Sequence, residues 1–139
     1  MLSNKQLEYF SMISKITEGV RVSIETDYQQ EYSNPLQAHY VFTYRIQIEN
    51  YSEQTVKLLR RHWFIYDSNG MMREVEGEGV VGQQPTLEPG ASHEYVSGCN
   101  LKTEMGKMRG SYLMERLVDG KQFTVIIPEF MLIAPFKLN

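Results

Sequence analysis

The chain has 139 residues, the length of one domain that can bury a core without metal or disulfide support, and its 42% hydrophobic content is that of a globular protein rather than a disordered one. A formal net charge of −3 excludes the bulk electrostatics of non-specific nucleic-acid binding. No apolar run approaches the roughly 20 residues that span a bilayer, and Lys5 and Glu8 interrupt any signal-peptide core. A cytoplasmic location is expected, and a single cysteine, Cys99, agrees with a reducing compartment because it has no partner for an internal disulfide.

The first element predicted is a helix over Leu2–Ile16. Leu2, Leu7, Phe10, Ile13 and Ile16 recur at mostly helical spacing, Ser3 can cap it and Gly19 ends it. This reading makes residues 1–18 an N-terminal extension and 19–139 a single domain. From Val20 the period becomes two. Val20, Val22, Ile24 and Thr26 alternate with polar residues, and after a turn at "YSNPLQ" so do Tyr40, Phe42, Tyr44, Ile46 and Ile48. "NYSEQ" turns the chain into a strand over Thr55–Tyr66. "DSNG" (Asp67–Gly70) is a hairpin turn, and Met72–Val81 continues extended. "LEPG" turns again before Glu94–Leu101. Ser111–Leu117, "VDGK" and Gln122–Ile127 form a further hairpin, and Phe130–Ile133 closes the sequence of strands. Short strands at about 8–12-residue spacing indicate an all-β sandwich or barrel. With no helix candidate between them, parallel βαβ units are excluded.

Residues 77–82, "GEGVVG", spell the G-x-G-x-x-G string of dinucleotide sites. That string works only where a helix N-terminus follows and aims its free N–H groups at the pyrophosphate. Here Pro85 and "EPG" (88–90) follow, leaving no room for a helix. The strand register offers another use. Glu74, Glu76 and Glu78 fall on one face and Val75, Gly77 and Gly79 on the other. Bare positions on the core face make room for a large neighbour such as Trp63 or a tyrosine, or permit a bulge. A nest of backbone N–H groups remains the minority reading: a phosphate or pyrophosphate site at Gly77, Gly79 and Gly82, with Arg60, Arg61 and His62 nearby.

The other constellations read mainly as structural. The Glu74–Glu76–Glu78 row suits a solvated edge that resists strand-to-strand aggregation. As a site for a hard divalent cation it is poor, because alternate strand residues stand about 6.6 Å apart. In Arg60-Arg61-His62-Trp63, Trp63 is expected in the core, so an arginine, with Arg61 on the same face, should sit at the core rim, paired with a carboxylate or stacked on a ring; an anion or partner contact is the functional alternative. His39, His62 and His93 have no second histidine or cysteine at ligand spacing, so no transition-metal site is legible. Cys99 reads as a buried, inert thiol. The eight methionines, Met71, Met72, Met105 and Met108 among them, read as core filling. "KTEMGKMRGSYLM" (102–114) also has the look of a mobile loop and partner surface. No catalytic triad, P-loop or carboxylate pair is present in sequence, so neither a cofactor nor an enzymatic role is expected.

"YVFTYRIQIEN", "LLRRHWFIYDSNG", "REVEGEGVVGQQPTLEPG", "YVSG", "GKMRGSYLM" and "FTVIIPEFML", in this order, resemble the ApaG family from about Val20 to the C-terminus. The resemblance implies an immunoglobulin- or fibronectin type III-like sandwich of seven or eight antiparallel strands. It also implies an association with cobalt resistance and magnesium efflux. Similar domains in eukaryotic F-box proteins and in a DNA-polymerase-interacting protein look like protein-interaction modules. The family's glycine string matches Gly77, Gly79 and Gly82 and is discussed as a pyrophosphate site; no catalytic residues transfer. Family chains usually begin near the first strand, which makes Met1–Ser11 an extension and Met12 an alternative start. The function expected is a non-enzymatic binding module for an unidentified protein partner. The alternative is a sensor of a phosphate compound or divalent cation at "GEGVVG". Neither nucleic acid nor membrane embedding is expected.

Overall fold

Alternation of period two translates into paired strands through nearly the whole of the computed structural model, which describes residues 12–137. The strands are β1 (Met12–Thr17), β2 (Val20–Tyr28), β3 (Tyr40–Asn50), β4 (Val56–Asp67), β5 (Met72–Glu78), the two-residue β6 (Thr86–Leu87), β7 (Ser92–Leu101), β8 (Met105–Arg116) and β9 (Gln122–Ile133). Short 3-10 turns cover Gln30–Tyr32, Pro35–Gln37 and Pro135–Lys137. One sheet has the order β1-β2-β3-β7. The other has β5-β4-β8-β9, with β6 attached to β4. Every strand pairing is antiparallel. The two sheets face each other as an immunoglobulin/fibronectin type III-like sandwich.

The core lies between the sheets, as the alternation requires. Val20, Val22, Ile24, Ile46 and Ile48 meet Trp63, Met108, Tyr112, Met114, Val125, Ile127 and Leu132, all buried. Trp63 stands 5.5 Å from Tyr44 and 5.9 Å from Phe130, centroid to centroid, in edge-on contacts. Such contacts add about 0.5–1.5 kcal/mol each beyond the area they bury. The turn at residues 50–54 is organised by Asn50, the one buried polar residue among those described.

Three expectations change. The helix over Leu2–Ile16 falls partly outside the described residues, but Met12–Ile16 belongs to β1, with Ile13 opposite Ile24 and Ile16 opposite Arg21. An isolated short helix gains little in water, whereas β2 presents a free edge whose ladder bonds this segment satisfies. Gly19 serves as the second residue of a hairpin turn with Glu18, both at positive φ, rather than as a helix terminator. Of the segment 102–114, residues 102–104 alone lie outside a strand. Met105–Arg116 is β8, central in its sheet, and buries Met108 and Met114. The strand count rises to nine among the described residues, through β1 and β6.

Candidate functional site

"GEGVVG" is the end of β5 and the tight turn that follows it. Val80 and Gln83 exchange backbone hydrogen bonds, N–H to O, at 2.8 and 3.0 Å. The two residues between them, Val81 and Gly82, have φ of 46° and 76°. This is the two-residue turn with positive φ at both central positions. Gly79, at φ 63°, donates its N–H to the Leu59 carbonyl at 2.9 Å. The N–H groups of Gly79, Val80 and Gln83 are therefore all spent within the chain.

The register places Arg60 opposite Glu78, Arg61 opposite Gly77 and His62 opposite Glu76. The ladder thus brings the three β4 residues alongside the glycine stretch and divides them between the faces. Arg61 turns inward, and its Nη1 donates to the carbonyls of Glu78 (2.9 Å) and Gly79 (3.1 Å). A Cβ at Gly77 would lie 3.0 Å from that nitrogen. The large neighbour accommodated by Gly77 is thus Arg61, not Trp63 or a tyrosine. Its partners are backbone carbonyls rather than the carboxylate or ring expected. Val75 faces the same way, yet remains 38% exposed because β5 is an edge strand. Arg60 and His62 face outward by alternation. On that outer side His62 Nε2 meets the Glu74 carboxylate, with Glu76 close by.

A cleft of about 400 Å³ opens on the other side of β5, towards β7. Among the described residues both strands are sheet edges: β5 pairs only with β4, and β7 only with β3. Ile65, Met71, Met72 and Leu101 supply its apolar wall, and Arg73, Lys102, Asn69 and Asn100 its polar one. Arg73 Nη2 donates to the Asn100 carbonyl (2.6 Å) and approaches Cys99 Sγ (3.4 Å), so the guanidinium spans the gap between the edges. Asp67, the carboxylate of the cleft, accepts from the Lys102 N–H at 2.7 Å and from the Thr103 hydroxyl. Arg73 and Lys102 have no ion-pair partner among the described residues. Burial pushes the Cys99 thiol up despite the nearby Arg73 guanidinium, which keeps it protonated and unreactive.

Sequence reasoning missed this cleft. Its residues come from the β4–β5 turn and the end of β7, about 30 positions apart, and no local spacing announces them. The signal present is Met71-Met72 beside a hairpin turn, which reads as core in sequence. Both methionines are in fact half to two-thirds exposed.

The described residues form a two-sheet antiparallel sandwich with a lined cleft between two edge strands. Residues 30–116 match the family model of the ApaG domain. The chain is 48% identical over 124 residues to Protein ApaG of Brucella suis biovar 1 (strain 1330), covering 89% of this chain and 95% of that protein. It is 44% identical over 128 residues to Protein ApaG of Anaeromyxobacter dehalogenans (strain 2CP-C), covering 92% and 100%. The crystal structure of the putative ApaA protein from Bordetella pertussis superposes with a TM-score of 0.81 at 44% identity, covering 84% of this chain and 94% of that one. The chain belongs to the ApaG family.

Proposed function

We propose that this protein is a non-enzymatic binding module that docks a partner protein in the cleft between β5 and β7. The observation that carries the reading is the composition of that cleft. An apolar wall of Ile65, Met71, Met72 and Leu101 stands beside two cations, Arg73 and Lys102, while the local carboxylate, Asp67, is already hydrogen-bonded. An extended segment carrying an apolar side chain next to a carboxylate complements it, and the free edges of β5 and β7 offer backbone groups to such a segment. Its volume lies within the usual range for ligand pockets.

No helix among the described residues is long and apolar enough to cross a membrane. The link to cobalt resistance and magnesium efflux implied by the family is therefore read as indirect, through the docked partner. The competing reading, a phosphate compound at Gly77, Gly79 and Gly82, has less support. The N–H groups of Gly79, Val80 and Gln83 are internally bonded, and Arg61 is committed to carbonyls.

The test is a photo-crosslinking residue at Met71 in the native host, with a second at Val96, exposed on β7 away from the cleft, as control. One partner captured at Met71, absent at Val96 and lost with Arg73→Glu, is the expected result. Equal capture at both positions, or capture indifferent to Arg73→Glu, would refute cleft docking. Unchanged cobalt tolerance on deletion of the gene would count against the efflux link.

A further inference from the structure

The outer face of the β4–β5 ladder carries a second constellation, independent of the cleft. Alternation puts Glu74 and Glu76 on the solvent side of β5. The two carboxylates alone are too far apart to share an ion comfortably, at about 6.6 Å per two residues of strand. β4 closes the gap. His62 stands directly opposite Glu76 and one diagonal step from Glu74. One ligand atom from each of His62, Glu74 and Glu76 lies within 4.8 Å of the other two.

Arg60 shares this outer face but stands opposite Glu78, one pair beyond Glu76. The His62 ring lies against Phe64, centroids 4.6 Å apart, which restricts its rotation. Arg109, opposite Phe64 on the neighbouring β8, lies over the Phe64 ring at 4.3 Å. Its guanidinium donates to the Tyr66 hydroxyl at 3.0 and 3.2 Å, directing its hydrogen bonds away from the carboxylates. Glu76 has no ion-pair partner among the described residues. Two carboxylates therefore face one imidazole.

We propose that His62, Glu74 and Glu76 form a binding site for a divalent transition-metal ion of the zinc type, with water completing the coordination. The donor set selects the ion. One imidazole nitrogen with two carboxylate oxygens suits borderline ions such as Zn²⁺, whereas Mg²⁺ and Ca²⁺ prefer oxygen-only shells. Small side-chain rotations bring donors at this spacing onto bonds of about 2.0–2.2 Å. Because the ligands come from two hydrogen-bonded strands, their relative positions are set by the ladder before any ion arrives. The ion would clamp the edge strand β5 to β4.

The test titrates the full chain with zinc chloride, following imidazole nitrogen shifts and heat in a non-coordinating buffer. One equivalent should bind with shifts at His62. His62→Ala, Glu74→Gln and Glu76→Gln should each weaken binding about tenfold or more. Glu78→Gln, on the same face but outside the cluster, should leave binding unchanged. Zinc should raise the Tm of the natural chain and not that of His62→Ala. The three glutamates are exposed and His62 is half-buried, and backbone spectra establish that each variant is folded. The proposal is overturned if zinc shifts His39 or His93 instead of His62, if the three variants bind like the natural chain, or if equimolar magnesium chloride displaces the zinc.

Discussion

The Arg61 guanidinium fills the space that a side chain at Gly77 would occupy, and from there it holds the carbonyls of Glu78 and Gly79. The glycine string is thus explained by packing and turn geometry at three positions, each with its own cost of substitution. Gly77→Ala puts a methyl 3.0 Å from a guanidinium nitrogen fixed by two hydrogen bonds and should cost about 1–2 kcal/mol. Gly79→Ala adds a Cβ 2.3 Å from the Gln83 carbonyl oxygen at positive φ and should cost on the order of 3 kcal/mol. Gly82→Ala meets open space and pays only for its positive φ, about 1 kcal/mol. Urea melts of the three variants should give the order Gly79, Gly77, Gly82. Equal losses at all three would mean that the contacts described do not set their cost.

Val81 is the mismatch in the same turn. A β-branched residue at φ 46° is disfavoured by its own Cβ, and its side chain is 63% exposed, so packing recovers little. Val81→Asn creates the Asn-Gly pair that this turn prefers. It should raise stability by about 1 kcal/mol with an unchanged m-value in urea. A loss of stability would show that Val81 makes a contact strong enough to outweigh its backbone strain.

The strands and their inward faces were legible because burial on one side of a sheet imposes period two. Val20–Val22–Ile24 and Tyr44–Ile46–Ile48 show it directly, as does the placing of Trp63 in the core with Arg61 at its rim. The N-terminal segment misled because Ile13 and Ile16 fit helical spacing as well as an edge strand, and only the free edge of β2 decides between them. The segment 102–114 reads as a loop in sequence, yet Gly106 and Gly110 lie within β8 against the β4 backbone, and Met108 fills the core as its residue type suggests. The cleft residues and the His62–Glu74–Glu76 group could not be read from spacing. Each joins two strands, and which residues stand opposite each other depends on the β4–β5 register and on how the sheets stack.

Asn50 fastens two turns to the core. Its Nδ2 donates to the Gln54 carbonyl (2.8 Å) and the Leu87 carbonyl (2.9 Å), while its Oδ1 accepts from the Ser52 N–H (3.0 Å) and hydroxyl (2.7 Å). Asn50→Ala leaves those groups without their buried partner and should cost about 2–3 kcal/mol. Asn50→Asp should cost more at neutral pH, because a carboxylate has no donor for the two carbonyls and is itself desolvated. Thermal melts decide the order. An Asn50→Asp variant as stable as the natural chain would show that water takes over these bonds.

The two phenols of Tyr95 and Tyr112 hydrogen-bond to each other in the core, where Tyr112 is fully buried. Burial raises both above the ordinary tyrosine range, since an ionised phenolate there is poorly solvated. Folding therefore favours the neutral forms, and the sign of the pH dependence follows. Their contribution is complete below the unfolded tyrosine value of about 10 and is lost as the pH rises from there through the folded values, because the unfolded chain releases these protons first. Stability should fall steeply above about pH 10, and Tyr95→Phe/Tyr112→Phe should flatten that fall. At neutral pH either single Phe substitution leaves one buried hydroxyl unpaired and should cost about 1–3 kcal/mol. The double variant should cost less than the sum of the two, because it removes both polar groups together. Urea melts of the four proteins at pH 7 and pH 10.5 measure both effects, and an additive double variant with an unchanged alkaline slope would show that the pair is not coupled.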